Sequence, residues 1–188
     1  HLRRWQEGFK GDSFSFDYHL MWAHLSDPGY ERCARNLFND MRDLHKVGLE
    51  GTIEVIIGKE HIHAANTTPE SYLLQEYFAR MVEAGLDTVV MEVSSQALLQ
   101  HRTQGFVFDF GIFTNLEPDH IGPNEHASFE EYTACKGLLF KQCKVGIVNC
   151  DDAHYSQVTQ GHTCEIEKFG MSEAADLRAE NLKLVHKS

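Results

Sequence analysis

Three short, nearly continuous apolar runs most constrain what this chain can fold into: residues 88–93 (TVVMEV), 106–114 (FVFDFGIFT) and 145–149 (VGIVN). Strands buried on both faces read this way, and they belong to parallel sheets covered by helices. Segments with helical spacing lie between them, so the pattern predicts an α/β domain with a mostly parallel sheet flanked by helices. Residues 52–57 (TIEVII) read as a further strand ending at Gly58, and residues 163–169 alternate like a more exposed one. A helix is predicted from the Thr67-Thr68-Pro69-Glu70 start to Ala84, with Tyr72, Leu73, Tyr77, Phe78, Met81 and Val82 at helical spacing and Gly85 as its stop. A second is predicted over residues 128–143, with Ser128 as cap and Glu130 and Glu131 in its first turn. The first 35 residues scatter aromatics without a period and stay unassigned, as a divergent or disordered segment; helical spacing resumes near Leu37, Met41 and Leu44.

With 188 residues, 42% of them hydrophobic, the chain has enough material for one good-sized core. A net charge of −11 argues against a general nucleic-acid binder, although a few local cations can still serve an anionic substrate. No run approaches the roughly 20 apolar residues of a membrane span, and residues 1–10 do not read as a secretory signal. Neither nucleic acid nor membrane is an expected partner. The five cysteines (Cys33, Cys135, Cys143, Cys150, Cys164) show no C-x-x-C spacing. Buried thiols in a reducing, cytoplasmic setting are expected rather than disulfides or zinc ligands.

Polar residues gather where the apolar runs end. Glu92, Ser94 and Ser95 follow one, and Asn115, Asp119 and His120 follow another. Open parallel sheets bind ligands at these carboxyl ends. Glu92 is either a strand-end carboxylate reaching solvent or a cation ligand, and His120 is either a loop histidine or part of the same chemistry. One or two carboxylates with substrate phosphates suffice for Mg²⁺. His61 and His63 share one strand face without a third ligand in view, and His101, His126, His154 and His162 read as surface residues. Asp151 and Asp152 read as caps of a following helix. On pattern alone, Lys136 is an ordinary surface lysine.

The pieces GTIEVIIG (51–58), NTTPES (66–71), MEVSSQAL (91–98), QHR (100–102), FDFGIFTNLEPDHIG (108–122), YTACKGLLF (132–140) and NCDD (149–152) together carry a resemblance. In order and spacing, residues 45–181 resemble the central, P-loop-type domain of the Mur ligases. The resemblance is nearest to those adding the third residue, diaminopimelate or lysine, to UDP-N-acetylmuramoyl-L-alanyl-D-glutamate. It implies an ATP-dependent amide ligase of peptidoglycan synthesis working through an acyl phosphate, with ATP and Mg²⁺ as cofactors and a monomeric state. It implies that Asn66, Thr67, Thr68, Ser94, Gln100 and Arg102 hold the UDP-muramoyl dipeptide. It further implies that Glu92, His120 and Lys136 are catalytic and serve magnesium, Lys136 as its carbamate.

One family motif is not found. The phosphate loop G-T-N-G-K-[TS] belongs some 30 residues before Gly51, where the chain reads SFDYHLMWAHLSDPGYERCARN. Residues 36–188 are therefore expected to be a partial central domain, without the family's N- and C-terminal domains and inactive in isolation. Two alternatives stay open: a non-catalytic module binding the UDP-muramoyl peptide, and a ligase related to the folylpolyglutamate synthetases.

Overall fold

A computed structural model describes residues 46–118, 121–123 and 125–180, together with Asn39. Two compact units divide after Val93.

In the first unit, β1 (Val47–Glu50), β2 (Glu54–Ile57), β3 (Glu60–His63) and β4 (Thr88–Met91) form one sheet in the order β3-β2-β1-β4. β1 and β4 run parallel, with Val47 opposite Thr88 and Glu50 opposite Met91. The β1–β2 and β2–β3 pairs are antiparallel. Gly58, at φ +63°, opens the two-residue turn between β2 and β3, a backbone conformation that glycine adopts without strain. One face of the sheet buries Val47, Leu49, Ile56 and Val90; the other sets Val55 and Ile57 against Tyr77 and Met81 of α1 (Ser71–Glu83). Gly48 lets that helix approach, since a Cβ there would sit 2.7 Å from the Met81 sulfur.

The helix differs from expectation at its start. Thr67 and Thr68 do not cap it; Glu70 is the N-cap and makes no side-chain cap bond. Thr68 instead turns its hydroxyl to a tertiary partner, the carbonyl of Glu92. The buried stripe is Leu74, Tyr77 and Met81, whereas Tyr72 and Val82 are 83% and 73% exposed. The stop is as predicted: Gly85 at φ +73°, with Leu86 N–H returning to the Met81 carbonyl and Gly85 N–H to that of Val82.

In the second unit, β5 (Phe108–Phe113), β6 (Cys143–Asn149), β7 (Glu165–Gly170) and β8 (Leu177–Arg178) form an all-parallel sheet in that order. α2 (Ser95–Leu99), α3 (Phe129–Gly137), a 3₁₀ turn (Leu138–Lys141) and α4 (Tyr155–Val158) complete the unit. Phe113, Leu116, Tyr132, Phe140, Cys143, Val148 and Val158 make its core, and Phe110 and Ile112 of β5 stay about half exposed. The expected mostly parallel α/β fold is what the described residues adopt, with the β1–β2–β3 meander as its antiparallel part. Ser128 caps α3 as predicted, accepting the Glu131 N–H. Cys135, Cys143 and Cys150 are buried and Cys164 partly so, as expected; Cys33 lies outside the described residues. Burial, and then the neighbouring Cys164 thiol, push Cys143 up to about 12, so it is an inert core thiol. Among the described residues no helix is long and apolar enough to cross a membrane.

Candidate functional site

In the first unit, polar groups converge where β4 ends. Glu92 Oε2 accepts from the Thr52 N–H at 2.9 Å and from the Thr52 hydroxyl at 2.5 Å. Thr52 Oγ1 also lies 3.2 Å from Thr67 Oγ1. One hydroxyl proton cannot serve both, so Thr67 is the donor in that second bond. Thr68, almost fully buried, donates to the Glu92 carbonyl at 2.9 Å. Two threonines from the loop before α1 and one from the β1–β2 connection thus hold the Glu92 main chain and carboxylate. Both carboxylate bonds fall on Oε2, so Oε1 can accept a cation. Asn66 is exposed.

Glu50 is the unexpected member. It is fully buried, and neither carboxylate oxygen has a hydrogen-bond partner among the described residues. Strand alternation puts it on the same face as Gly48 and its cross-strand neighbour Val55, towards the apolar side of α1. Burial, and secondarily the Glu92 charge, push its carboxyl up to about 9, so it is a neutral acid at pH 7.

In the second unit, Ser94 is the N-cap of α2, its Oγ accepting from the Ala97 N–H at 3.1 Å. The helix ends with His101 at φ 58°, Arg102 N–H returning to the Ala97 carbonyl and His101 N–H to that of Leu98. This is a Schellman stop with histidine where glycine is usual. It sets Gln100 beside Arg102, whose Nε and Nη2 both donate to Gln100 Oε1, at 3.0 and 2.6 Å. The neutral Gln100 amide orients the guanidinium, whose planar fork of N–H donors matches carboxylate and phosphate geometry.

Lys136, half-buried in the last turn of α3, holds its Nζ 5.4 Å from the centre of the Tyr132 ring. Burial lowers its pKa from the ordinary lysine value, which corrects the surface-lysine reading. His126 is likewise corrected: it is fully buried, with Nε2 2.7 Å from Ser95 Oγ. Asp119 and His120 lie outside the described residues.

The Mur ligase middle-domain family matches residues 32–188. The chain belongs to that family. This Mur ligase middle domain is 46% identical over 140 residues to UDP-N-acetylmuramoyl-L-alanyl-D-glutamate–2,6-diaminopimelate ligase 1 of Clostridium acetobutylicum, covering 74% of the chain and 29% of the relative. It is 42% identical over 154 residues to the corresponding diaminopimelate ligase of Bacillus licheniformis, covering 76% of the chain and 30% of the relative. A solved structure of a ligase of the same name shares its fold, with a TM-score of 0.62 at 24% identity over 77% of this chain and 30% of the other. The chain thus spans about 30% of the length of the curated relatives it matches.

In this Mur ligase domain the NCDD motif braces the end of β5. Asn149 Nδ2 donates to the Thr114 carbonyl at 2.8 Å, and Asp152 Oδ2 accepts from the Leu116 N–H at 2.9 Å. Asp152 Oδ1 also accepts from the His154 N–H, but His154 is the N-cap of α4 and no side chain caps that helix, so Asp152 braces the loop and does not cap as predicted. Asp151 does not cap; it accepts from the N–H groups of Met171 and Ser172. Thr52, Glu50 and Tyr132 received no individual role from the sequence, and Ser95 was placed only in the polar cluster after the β4 run. Thr52 and Tyr132 carried a signal in standing inside the GTIEVIIG and YTACKGLLF motifs.

Proposed function

We propose that this chain serves an ATP-dependent ligase that adds the third amino acid to UDP-N-acetylmuramoyl-L-alanyl-D-glutamate. Family membership supports the reaction class, and the names of the relatives support the acceptor. Thr67, Thr68, Ser94, Gln100 and Arg102, with Asn66, are assigned to the UDP-muramoyl dipeptide. Arg102 and the polar start of α2 have the chemistry to hold carboxylate and phosphate.

Glu92, with His120, and Lys136 as its carbamate, are assigned to magnesium. Magnesium takes one or two protein carboxylates and completes its shell with water and phosphate, a demand that the Glu92 carboxylate can meet. When bound, the ion would offset negative charge on the transferring phosphoryl group. The substrate carboxylate takes up the γ-phosphoryl of ATP with loss of ADP, and the incoming amine then displaces phosphate to give the amide.

The observation carrying this reading is Lys136, a half-buried amine whose burial favours the neutral form. The neutral amine attacks carbon dioxide: an N–C bond forms, one C=O electron pair moves to oxygen, and the amine proton leaves to solvent. The product is an anionic oxygen ligand. In ¹³C-bicarbonate the full chain is expected to give a carbamate resonance that Lys136→Met removes. A spectrum without it, or with it unchanged in the variant, counts against the assignment.

A further inference from the structure

His126 spends a fully buried imidazole in a loop, and burying such a polar ring is costly unless its contacts return the loss. Its contacts reach three parts of the second unit. Nε2 shares a 2.7 Å hydrogen bond with Ser95 Oγ, in the first residue of α2 and next to Ser94. Its backbone pairs with Ile121, and its carbonyl accepts the Gly122 N–H at 3.2 Å, closing the loop on itself. Its ring lies 5.1 Å from that of Tyr132 at 33°, and its Nδ1 is 3.8 Å from Glu131 Oε2. Glu131 is itself fixed, because Oε2 accepts from the Ala127 N–H at 2.6 Å and its own N–H donates to the Ser128 cap. One turn on, the Tyr132 ring lies under Lys136 Nζ. That ring face is the contact that the described residues offer the amine.

We propose that His126 is a positioning residue for Lys136, acting through the Tyr132 ring and tied to the start of α2 by Ser95. The inference rests on the reading of Lys136 given above. A lysine side chain has many rotamers, and a ligand made from it is useful only when one is selected. The ring of His126 fixes that of Tyr132, and the face of Tyr132 selects the rotamer of Lys136. This assigns His126 no contact with substrate and no proton transfer.

Two NMR readouts on the full chain test it, in variants that separate ring from hydrogen bond. His126→Phe keeps an aromatic face and loses the Ser95 bond, whereas His126→Gln keeps a partner for Ser95 and loses the ring. With ε-¹³C-lysine labelling, Lys136→Met identifies the Lys136 signal, which the Tyr132 ring current should shift. That shift is expected to survive in His126→Phe and collapse in His126→Gln. Carbamate occupancy at fixed bicarbonate should fall about fivefold in His126→Gln, the scale of one lost ring–ring contact, and recover in His126→Phe. Unchanged shift and occupancy in a normally melting His126→Gln protein overturn the proposal. Loss of both in the two variants alike also overturns it, because packing on Tyr132 is then not the cause. A wild type without carbamate instead removes the Lys136 reading, and the ring-current arm still decides whether His126 places the amine.

Discussion

Replacing Glu50 with methionine is expected to stabilise the protein by several kcal/mol at about pH 8 and by far less near pH 4. The buried Glu50 carboxyl titrates at about 9 in the folded chain, against about 4.5 when unfolded. Below the unfolded value both states hold the proton, and the native state carries no penalty from this group. As pH rises above it, unfolding releases a proton that the folded state retains, so stability falls until the folded value is passed. At about 1.4 kcal/mol per pH unit, the loss is at most about 6 kcal/mol. The unpartnered oxygens add a cost of their own, since nothing replaces the water they gave up. Methionine fills a similar volume on the apolar side of α1 and does not titrate. Urea unfolding at pH 5, 7 and 9 should show wild-type stability falling across the series and the variant nearly flat. Parallel pH dependences in the two proteins would mean that Glu50 is solvated or paired.

Gly137→Ala is the second large effect, expected to destabilise by about 1–3 kcal/mol through overpacking. A Cβ at Gly137 would lie 2.6 Å from the carbonyl oxygen of Val158, which is backbone and cannot rotate away. Either α3 or α4 must therefore shift. On an exposed helix the same change would be stabilising by about 1 kcal/mol through helix propensity, so even the sign is diagnostic. Because Gly137 follows Lys136, the shift should also reduce the carbamate resonance. A variant as stable as wild type would show that α4 yields at no cost.

What was legible in the sequence was whatever repeats or stands at a turn. The strands β4, β5 and β6, the Ser128 cap and the Gly85 stop depend on local pattern, and they fall where expected, although Val89 of β4 and Phe110 and Ile112 of β5 are exposed where strands buried on both faces were expected. The start of α1 was misplaced because Thr68 has the ordinary signature of a cap while its hydroxyl is drawn to a residue 24 positions away. Tyr72 and Val82 entered the predicted apolar face as apolar neighbours of Leu73 and Met81, but at about 100° per residue both turn away from the Leu74–Tyr77–Met81 stripe into solvent. His126 gave no signal: an isolated histidine between a glycine-proline loop and a helix cap reads as surface until Ser95 and Tyr132 close over it. Glu50 was hidden for a related reason, since β1 is short and its carboxylate looks like a strand end reaching water. Neither motif spacing nor periodicity reports desolvation, which sets the character of Glu50 and changes the reading of Lys136.

The substrate assignment is tested most directly by calorimetric titration of the full chain with UDP-N-acetylmuramoyl-L-alanyl-D-glutamate in the presence of Mg²⁺. Saturable binding is expected, unaffected by a competing folate and weakened at least about tenfold by Arg102→Ala, the scale of a lost hydrogen bond to a charged group. Thr67→Val should weaken it less, because that hydroxyl also supports Thr52. No saturable heat up to about millimolar ligand, about 4 kcal/mol of binding free energy, would contradict the assignment, as would equal displacement by the folate.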